Sequence, residues 1–168
     1  MGTDTDDRLG PDRRRIRILD DRLHGWGLPR YQTDMAAGLD LHACIAEPLT
    51  LQPQAPAVLI PSGIAVLMND PGMAAILLAR SGLGHKKGLI LGQSVGLIDA
   101  DYCDQIYISA WLRTPPGSEP LVVQPGDRIA QLVFVPILRP TLRVVDTFST
   151  ETTRGLGGFG STGIRREP

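Results

Sequence analysis

Five short stretches of this chain hold residues able to do chemistry. Arg80-Ser81-Gly82-Leu83-Gly84-His85-Lys86-Lys87-Gly88 gathers an arginine, a hydroxyl, glycine amides and two lysines. That is enough for an anion cradle, particularly if Ser81 caps a short helical turn, and it is equally the composition of a solvated basic turn. In Gly96-Leu97-Ile98-Asp99-Ala100-Asp101-Tyr102, a strand would put Asp99 and Asp101 on one face and Ile98 and Ala100 on the other. A carboxylate set among apolar residues is costly unless it is paired or used, although Asp-rich hairpin turns are also common. Asp40 stands on a strand face opposite Leu39 and Leu41, and Gln124-Pro125-Gly126-Asp127-Arg128 is a turn feeding a strand that carries Gln131.

The fifth stretch, Arg154 to Gly163, satisfies G-x-G-x-x-G through Gly155, Gly157 and Gly160. A dinucleotide site is excluded, because that motif must follow a strand, open a helix and precede further βαβ units. Two readings stay open: a plain glycine-rich tail, or a mobile lid whose amides wrap an anion, with Arg154 as phosphate clamp and Phe159 as stacking ring. His24, His42 and His85 are each isolated from a second histidine at metal spacing. Cys44 and Cys103 form neither a metal cluster nor a disulfide framework, and reduced thiols are expected.

The elements that must position these residues read as strands. Apolar segments recur at Leu39–Ala43, Ala57–Ile60, Ile64–Met68, Ala74–Leu78, Leu89–Leu91, Val95–Ile98, Gln105–Leu112, Leu121–Val123, Ile129–Val135 and Leu142–Val145, after an opening alternation at Ile16 and Ile18. Their shortness, β-branching and spacing predict an all-β barrel or sandwich. The best helical competitor is 72–80, rich in Ala and Leu and bounded by Pro71 and Gly82, so one short helix at most is expected. With 19 glycines and 14 prolines, a helical bundle is excluded. A length of 168 residues suits one domain. The expected organisation is a flexible tail at 1–14, a β-barrel at 15–147 and a glycine-rich arm at 148–168. The formal net charge of -1 argues against nucleic acid as a partner, and no apolar run suits a membrane span or a secretory signal. A cytoplasmic location is the expectation.

Taken together and in order, the stretches resemble the five motifs of the deoxyuridine triphosphate nucleotidohydrolase (dUTPase) family. They are AGLDL (37–41), RSGLG (80–84), GLIDADY (96–102), PGDRIAQL (125–132) and RGLGGFGSTG (154–163). The likeness runs from about Ile16 to Gly163 and is to the homotrimeric branch, which implies a distorted antiparallel β-barrel of jelly-roll type with active sites shared between subunits. It implies hydrolysis of dUTP to dUMP and pyrophosphate, keeping uracil out of DNA and supplying dUMP for dTMP synthesis. Asp99 would be the base for the water attacking the α-phosphorus. Arg80, Ser81, Gly82 and Gln131 would hold the phosphates, with Ser81 near the α–β bridge. Tyr102 would stack under the deoxyribose and exclude a 2′-hydroxyl, while Val95, Ile98 and neighbouring backbone carry the uracil edge. Arg154 would reach the γ-phosphate as Phe159 and Gly160 close over the base. A magnesium ion would be held mainly by the triphosphate, with no direct protein ligand and Asp40 contributing at most indirectly.

Three positions depart from the family's usual pattern. Gln93 stands where Asn or Thr is usual beside the uracil, so backbone groups must enforce uracil over cytosine. Cys103-Asp104 replaces a segment that usually contains glycine, and Ala79 replaces a frequent proline. Two rivals share the fold: a dCTP deaminase, which needs a glutamate in the hairpin where 93–106 has none, and a non-catalytic nucleotide sensor, which would have no use for Asp99.

Overall fold

The structure, a computed structural model, describes residues 15–149, 152 and 155. Twelve elements run in the order β1 (Arg15–Ile18), α1 (Leu23–Trp26), β2 (Leu39–His42), β3 (Leu49–Leu51), β4 (Val58–Leu67), β5 (Met73–Ala79), α2 (Ser81–Lys87), β6 (Leu89–Leu91), β7 (Gly96–Ile98), β8 (Gln105–Leu112), β9 (Leu121–Val123) and β10 (Arg128–Pro136). One antiparallel sheet is ordered β1-β4-β8-β6, a second β2-β10-β5-β7, and β3 pairs with β9 as a ribbon. The all-β, jelly-roll expectation is met.

Period-two patterning explains the assembly. Along β8, Ile106, Ile108, Ala110 and Leu112 turn inward and are at most 1% exposed, while Tyr107 points out. Ile60 and Ile64 of β4 join them, and Leu41 of β2, Leu77 of β5 and Leu132 of β10 close the same core from the second sheet. Burying two such faces against each other is the main stabilising contribution.

The structure departs from the sequence expectations in four places. Residues 73–79, the best helical candidate, form β5. It hydrogen-bonds to β10 along its whole length and to β7 over Ala75–Leu77, and two neighbouring ladders outweigh helix propensities of a few tenths of a kcal/mol per residue. Two short helices appear rather than one at most. The segments 57–60 and 64–68 are one strand, β4, carried through Pro61-Ser62-Gly63 by a register shift against β8. Leu142–Val145 is not a strand, because no described residue pairs with it.

The chain forms two compact units, 1–138 and 139–168. In the second, the described residues 139–149 carry neither strand nor helix, and Gly155 donates its N–H to the Thr152 carbonyl at 2.9 Å. The expected tail at 1–14 and the residues Arg154, Phe159 and Gly160 lie outside the described residues.

Gly63 allows the bulge in β4. Its φ of +74° is left-handed, and a Cβ there would meet Cys44 Sγ at 2.5 Å and Asp20 Cβ at 2.9 Å. Gly117 has a similar φ of +85° with nothing within 4 Å, so it reports backbone strain alone. Gly63→Ala is therefore expected to lower stability by about 2–4 kcal/mol, and Gly117→Ala by about 1–2 kcal/mol, in parallel urea titrations. Equal losses would remove the packing term.

Candidate active site

Three strands of the second sheet carry a polar layer. Asp40 on β2 is only 8% exposed and accepts from Arg80 Nε at 3.0 Å and Arg128 Nη1 at 3.1 Å. Arg80, just after β5, also donates through Nη1 to the Arg128 carbonyl at 3.1 Å. One buried carboxylate thus joins the end of β5 to the start of β10, its charge matched by two guanidiniums that reach solvent. Arg128 is delivered there by the Pro125-Gly126 turn. Gly126 donates to the Ala43 carbonyl at 2.9 Å, and Ala43 donates back to the Asp127 carbonyl at 2.8 Å. Gly126 has φ +84° under the Trp26 ring, so the first helix buttresses the turn.

Arg80, Ser81 and Gly82 come together with Leu83, Lys86 and Lys87 around a cleft of about 330 Å³. Ser81 is the first residue of α2 rather than its cap. Arg80 takes the cap position in extended conformation, with no side-chain cap hydrogen bond. Gln131 lies one strand away on β10 and donates Nε2 to the Ala79 carbonyl at 3.2 Å. A Cβ on Gly38 would sit 3.0 Å from Gln131 Oε1, so the glycine of the AGLDL segment leaves room for that amide.

The hairpin residues are gathered elsewhere. β7 is an edge strand, so alternate backbone groups of Gly96–Ile98 face outward. Gln93 reaches over this strand, its Nε2 3.4 Å from where a Gly96 Cβ would lie, and Val95 leads into it, half exposed. The strand stops at Ile98, so Asp99 and Asp101 do not alternate along it. Asp99 opens a turn in which its carbonyl accepts from Tyr102 N–H at 3.2 Å. Asp99 is exposed, and Tyr102 donates its hydroxyl to the Gln105 carbonyl at 2.7 Å, holding the ring across the hairpin. Burial and the nearby Asp104 push the Tyr102 phenol above its ordinary value, so it remains a donor at neutral pH.

Register separates the two groups. β5 and β7 run antiparallel with Ala75 opposite Ile98, so Asp99 lies beyond the Ala75 end of β5 while Arg80 follows its other end. Five residues of strand span about 16 Å. Within one chain the hairpin and the cleft therefore do not meet.

Sequence reading missed two members of this layer. Arg128 was visible only as part of a turn, and its pairing with Asp40 depends on register across 88 positions. His42 faces the same side as Asp40, opposite Arg128, and is 6% exposed with Nδ1 unpartnered.

An antiparallel two-sheet β domain with a cationic cleft at one end of β5 and an aspartate hairpin at the other is a jelly-roll-type β fold. A family model described as dUTPase matches residues 24–163, and the chain belongs to the dUTPase family. It is 52% identical over 151 residues to a deoxyuridine 5'-triphosphate nucleotidohydrolase of Xanthomonas campestris pv. campestris, covering 89% of this chain and 96% of that one. A relative of the same description from Hahella chejuensis is 51% identical with the same coverage. Among solved structures, a Staphylococcus bacteriophage 80alpha dUTPase mutant with dUpNHpp superposes with a TM-score of 0.76 at 26% identity, over 91% of this chain and 99% of that chain. A mutant dUTPase from phage phi11 of S. aureus, described with a structural Mg(II) ion, gives a TM-score of 0.69 at 26% identity, over 83% of this chain and all of that one.

The buried histidine sets a pH dependence. Burial first and then Arg128 push the His42 pKa below its ordinary value; Asp40 pulls it the other way, and Arg80 adds the smallest push downward. A folded-state pKa below the unfolded one means stability is full above about pH 6.5 and is lost as pH falls through the folded value. The urea midpoint is expected to drop between pH 7 and pH 5, and His42→Gln should flatten that drop. An unchanged profile in the variant would assign the acid loss to carboxylates instead.

Proposed function

We propose that this chain hydrolyses dUTP to dUMP and pyrophosphate, with Asp99 as the base for water attack at the α-phosphorus. The observation that carries this reading is the fixed position of Arg80 at the mouth of the cleft. Asp40 and the Arg128 carbonyl hold its inner edge, which leaves outer N–H groups for phosphate oxygens beside Ser81 and the Gly82 amide. A guanidinium held this way loses little conformational freedom on binding. Gln131 adds an amide from β10.

Asp99 is exposed on the hairpin and takes the water's proton, which requires only an ionised carboxylate within hydrogen-bond reach. Tyr102, tied by its hydroxyl to Gln105, offers a fixed ring face under the deoxyribose that leaves no room for a 2′-hydroxyl. The outward edge of β7, with Val95, Ile98 and the Gln93 amide, reads the uracil. Arg154 closes on the γ-phosphate while Phe159 and Gly160 cover the base, making the glycine-rich arm a lid that excludes water. Such an enzyme keeps uracil out of DNA and supplies dUMP for dTMP synthesis. The cytoplasm is the location that goes with this reading. No helix among the described residues is long and apolar enough to cross a membrane.

Magnesium fits as a passenger of the substrate. Among the described residues no three His, Cys, Asp or Glu side chains converge, and the cleft offers cations and a hydroxyl, so the ion is assigned mainly to the triphosphate's own oxygens. When bound it neutralises charge on the phosphates. The strand length separating Asp99 from Arg80 supports a site shared between chains, one subunit's hairpin facing a neighbour's cleft, and the family resemblance makes that assembly a homotrimer.

Pyrophosphate release from dUTP, dCTP, dTTP and UTP, measured side by side with magnesium, tests the substrate. dUTP should dominate, with dCTP and UTP strongly rejected. dTTP should be the best of the poor substrates, because one methyl is discriminated by packing only about 10–200-fold. Ammonia release from dCTP would favour the deaminase.

The shared site has its own test. Asp99→Asn and Arg80→Gln should each lose most turnover, about 10²–10⁴-fold for the base. Mixing the two inactive variants under subunit exchange should restore activity, because about a quarter of sites then pair an intact hairpin with an intact cleft. Absence of complementation in verified mixed trimers would place both groups in one chain.

A further inference from the structure

The cleft beside Arg80 holds more positive charge than its neighbours neutralise. Arg80 shares Asp40 with Arg128, whereas Lys86 and Lys87 have no carboxylate partner among the described residues. Both lysines are exposed, and no acidic side chain lines the cleft. In a chain of net charge -1 this is a local imbalance.

Helical spacing explains why both lysines serve the same cleft. Lys86 lies four residues after Gly82, and Lys87 four after Leu83, so each stands one turn above a residue of the cleft wall. Gly82 has nothing within 4 Å of where a Cβ would be, which leaves open space beneath Lys86. The helix is also held firmly at its far end. Gly88 takes the left-handed conformation and donates to the Leu83 carbonyl, Arg113 N–H donates to the Gly88 carbonyl at 3.0 Å, and Arg113 Nη2 reaches the Gly84 carbonyl at 3.3 Å. The lysine stems therefore swing from a fixed base.

The geometry points to Lys86 and Lys87 as further polyphosphate-positioning residues, which capture the outer phosphates and hold the leaving pyrophosphate next to Arg80. Arg80 cannot do this alone, because Nε and Nη1 face inward to Asp40 and the Arg128 carbonyl. Two flexible ammonium groups follow an anion as it moves, whereas a fork pinned on one side holds it at one point. The inference rests on the proposed reading of the cleft as the phosphate side of the site. It extends that reading to residues outside the five motifs.

The test uses the full chain with Lys86→Gln, Lys87→Gln and the double variant. Lys→Arg versions serve as charge-preserving rescues, and Arg17→Gln, on β1 of the other sheet, controls for loss of one exposed charge. Binding of inorganic pyrophosphate is measured by calorimetry, and steady-state kinetics with dUTP are followed across a salt series. The double Gln variant should bind pyrophosphate about tenfold more weakly, as expected for two exposed charge contacts. It should also raise KM for dUTP by a similar factor, leave kcat within about twofold, and flatten the salt dependence of kcat/KM. The Arg versions should restore binding. Unchanged pyrophosphate binding and salt dependence, or a fall in kcat alone, would overturn the proposal. Lysine-dependent pyrophosphate binding in a protein that failed to hydrolyse dUTP would leave this proposal standing while the dUTP reading fell.

Discussion

The length of β5 is the constraint on which the site depends. This seven-residue strand lies between β10 and β7 in the second sheet, with the aspartate hairpin at one end and Arg80 at the other. Shortening it would cost core packing made by Ala75 and Leu77, and bending it would break two ladders together. The separation is thus built into the fold's stability. On the proposed reading, a reaction that needs both ends brings in a second chain, so the proposed assembly rests on the spacing of one sheet. A mutation in the core of β5 would for the same reason disturb the hairpin and the cleft together.

The two halves are prepared differently. Around the cleft proposed to take the phosphates, Asp40 fixes Arg80, reciprocal backbone hydrogen bonds fix the turn before Arg128, and the Gly88 cap fixes α2. Little reorganisation is left for binding, which is where an electrostatic site gains most. At the hairpin, proposed to read the base, an edge strand and an exposed turn face solvent, with Tyr102 tied down by one hydrogen bond. Recognition of a nucleobase by backbone groups needs an unpaired strand edge, and such an edge is an aggregation hazard unless it is short or covered. β7 has only three residues, which limits that hazard while leaving its outer backbone groups open.

How much of this was legible in the sequence depends on the range of the interaction. The alternation of Ile106, Ile108, Ala110 and Leu112 is local, and it marked β8 and its inward face from the residues alone. The five motif strings were legible because each function-bearing stretch is contiguous. Residues 73–79 misled, since alanine and leucine favour helix and only partners on both sides decide for strand. Leu142–Val145 has the right composition and no partner among the described residues, so composition alone overstated it. The Asp40–Arg128 pair and the buried His42 stayed hidden, because each is created by the β2–β10 register rather than by any local pattern.

That register also explains why a titratable group sits beside the ion cluster. β2 places Asp40 and His42 on one face, and the bulge between Arg128 and Ala130 brings Arg128 opposite His42 and Gln131 opposite Asp40. Without the bulge, the side chains of β10 before and after it would fall on opposite faces, and Arg128 could not share a carboxylate with Arg80. The cost is a polar imidazole held away from water with one nitrogen unpartnered, and its burial disfavours the charged form. A protonated His42 would add a third cation to a layer with a single acid and would compete with both arginines for Asp40. The irregularity that joins Asp40, Arg80 and Arg128 thereby also places His42 beside them, and the two cannot be separated without changing the residue at 42.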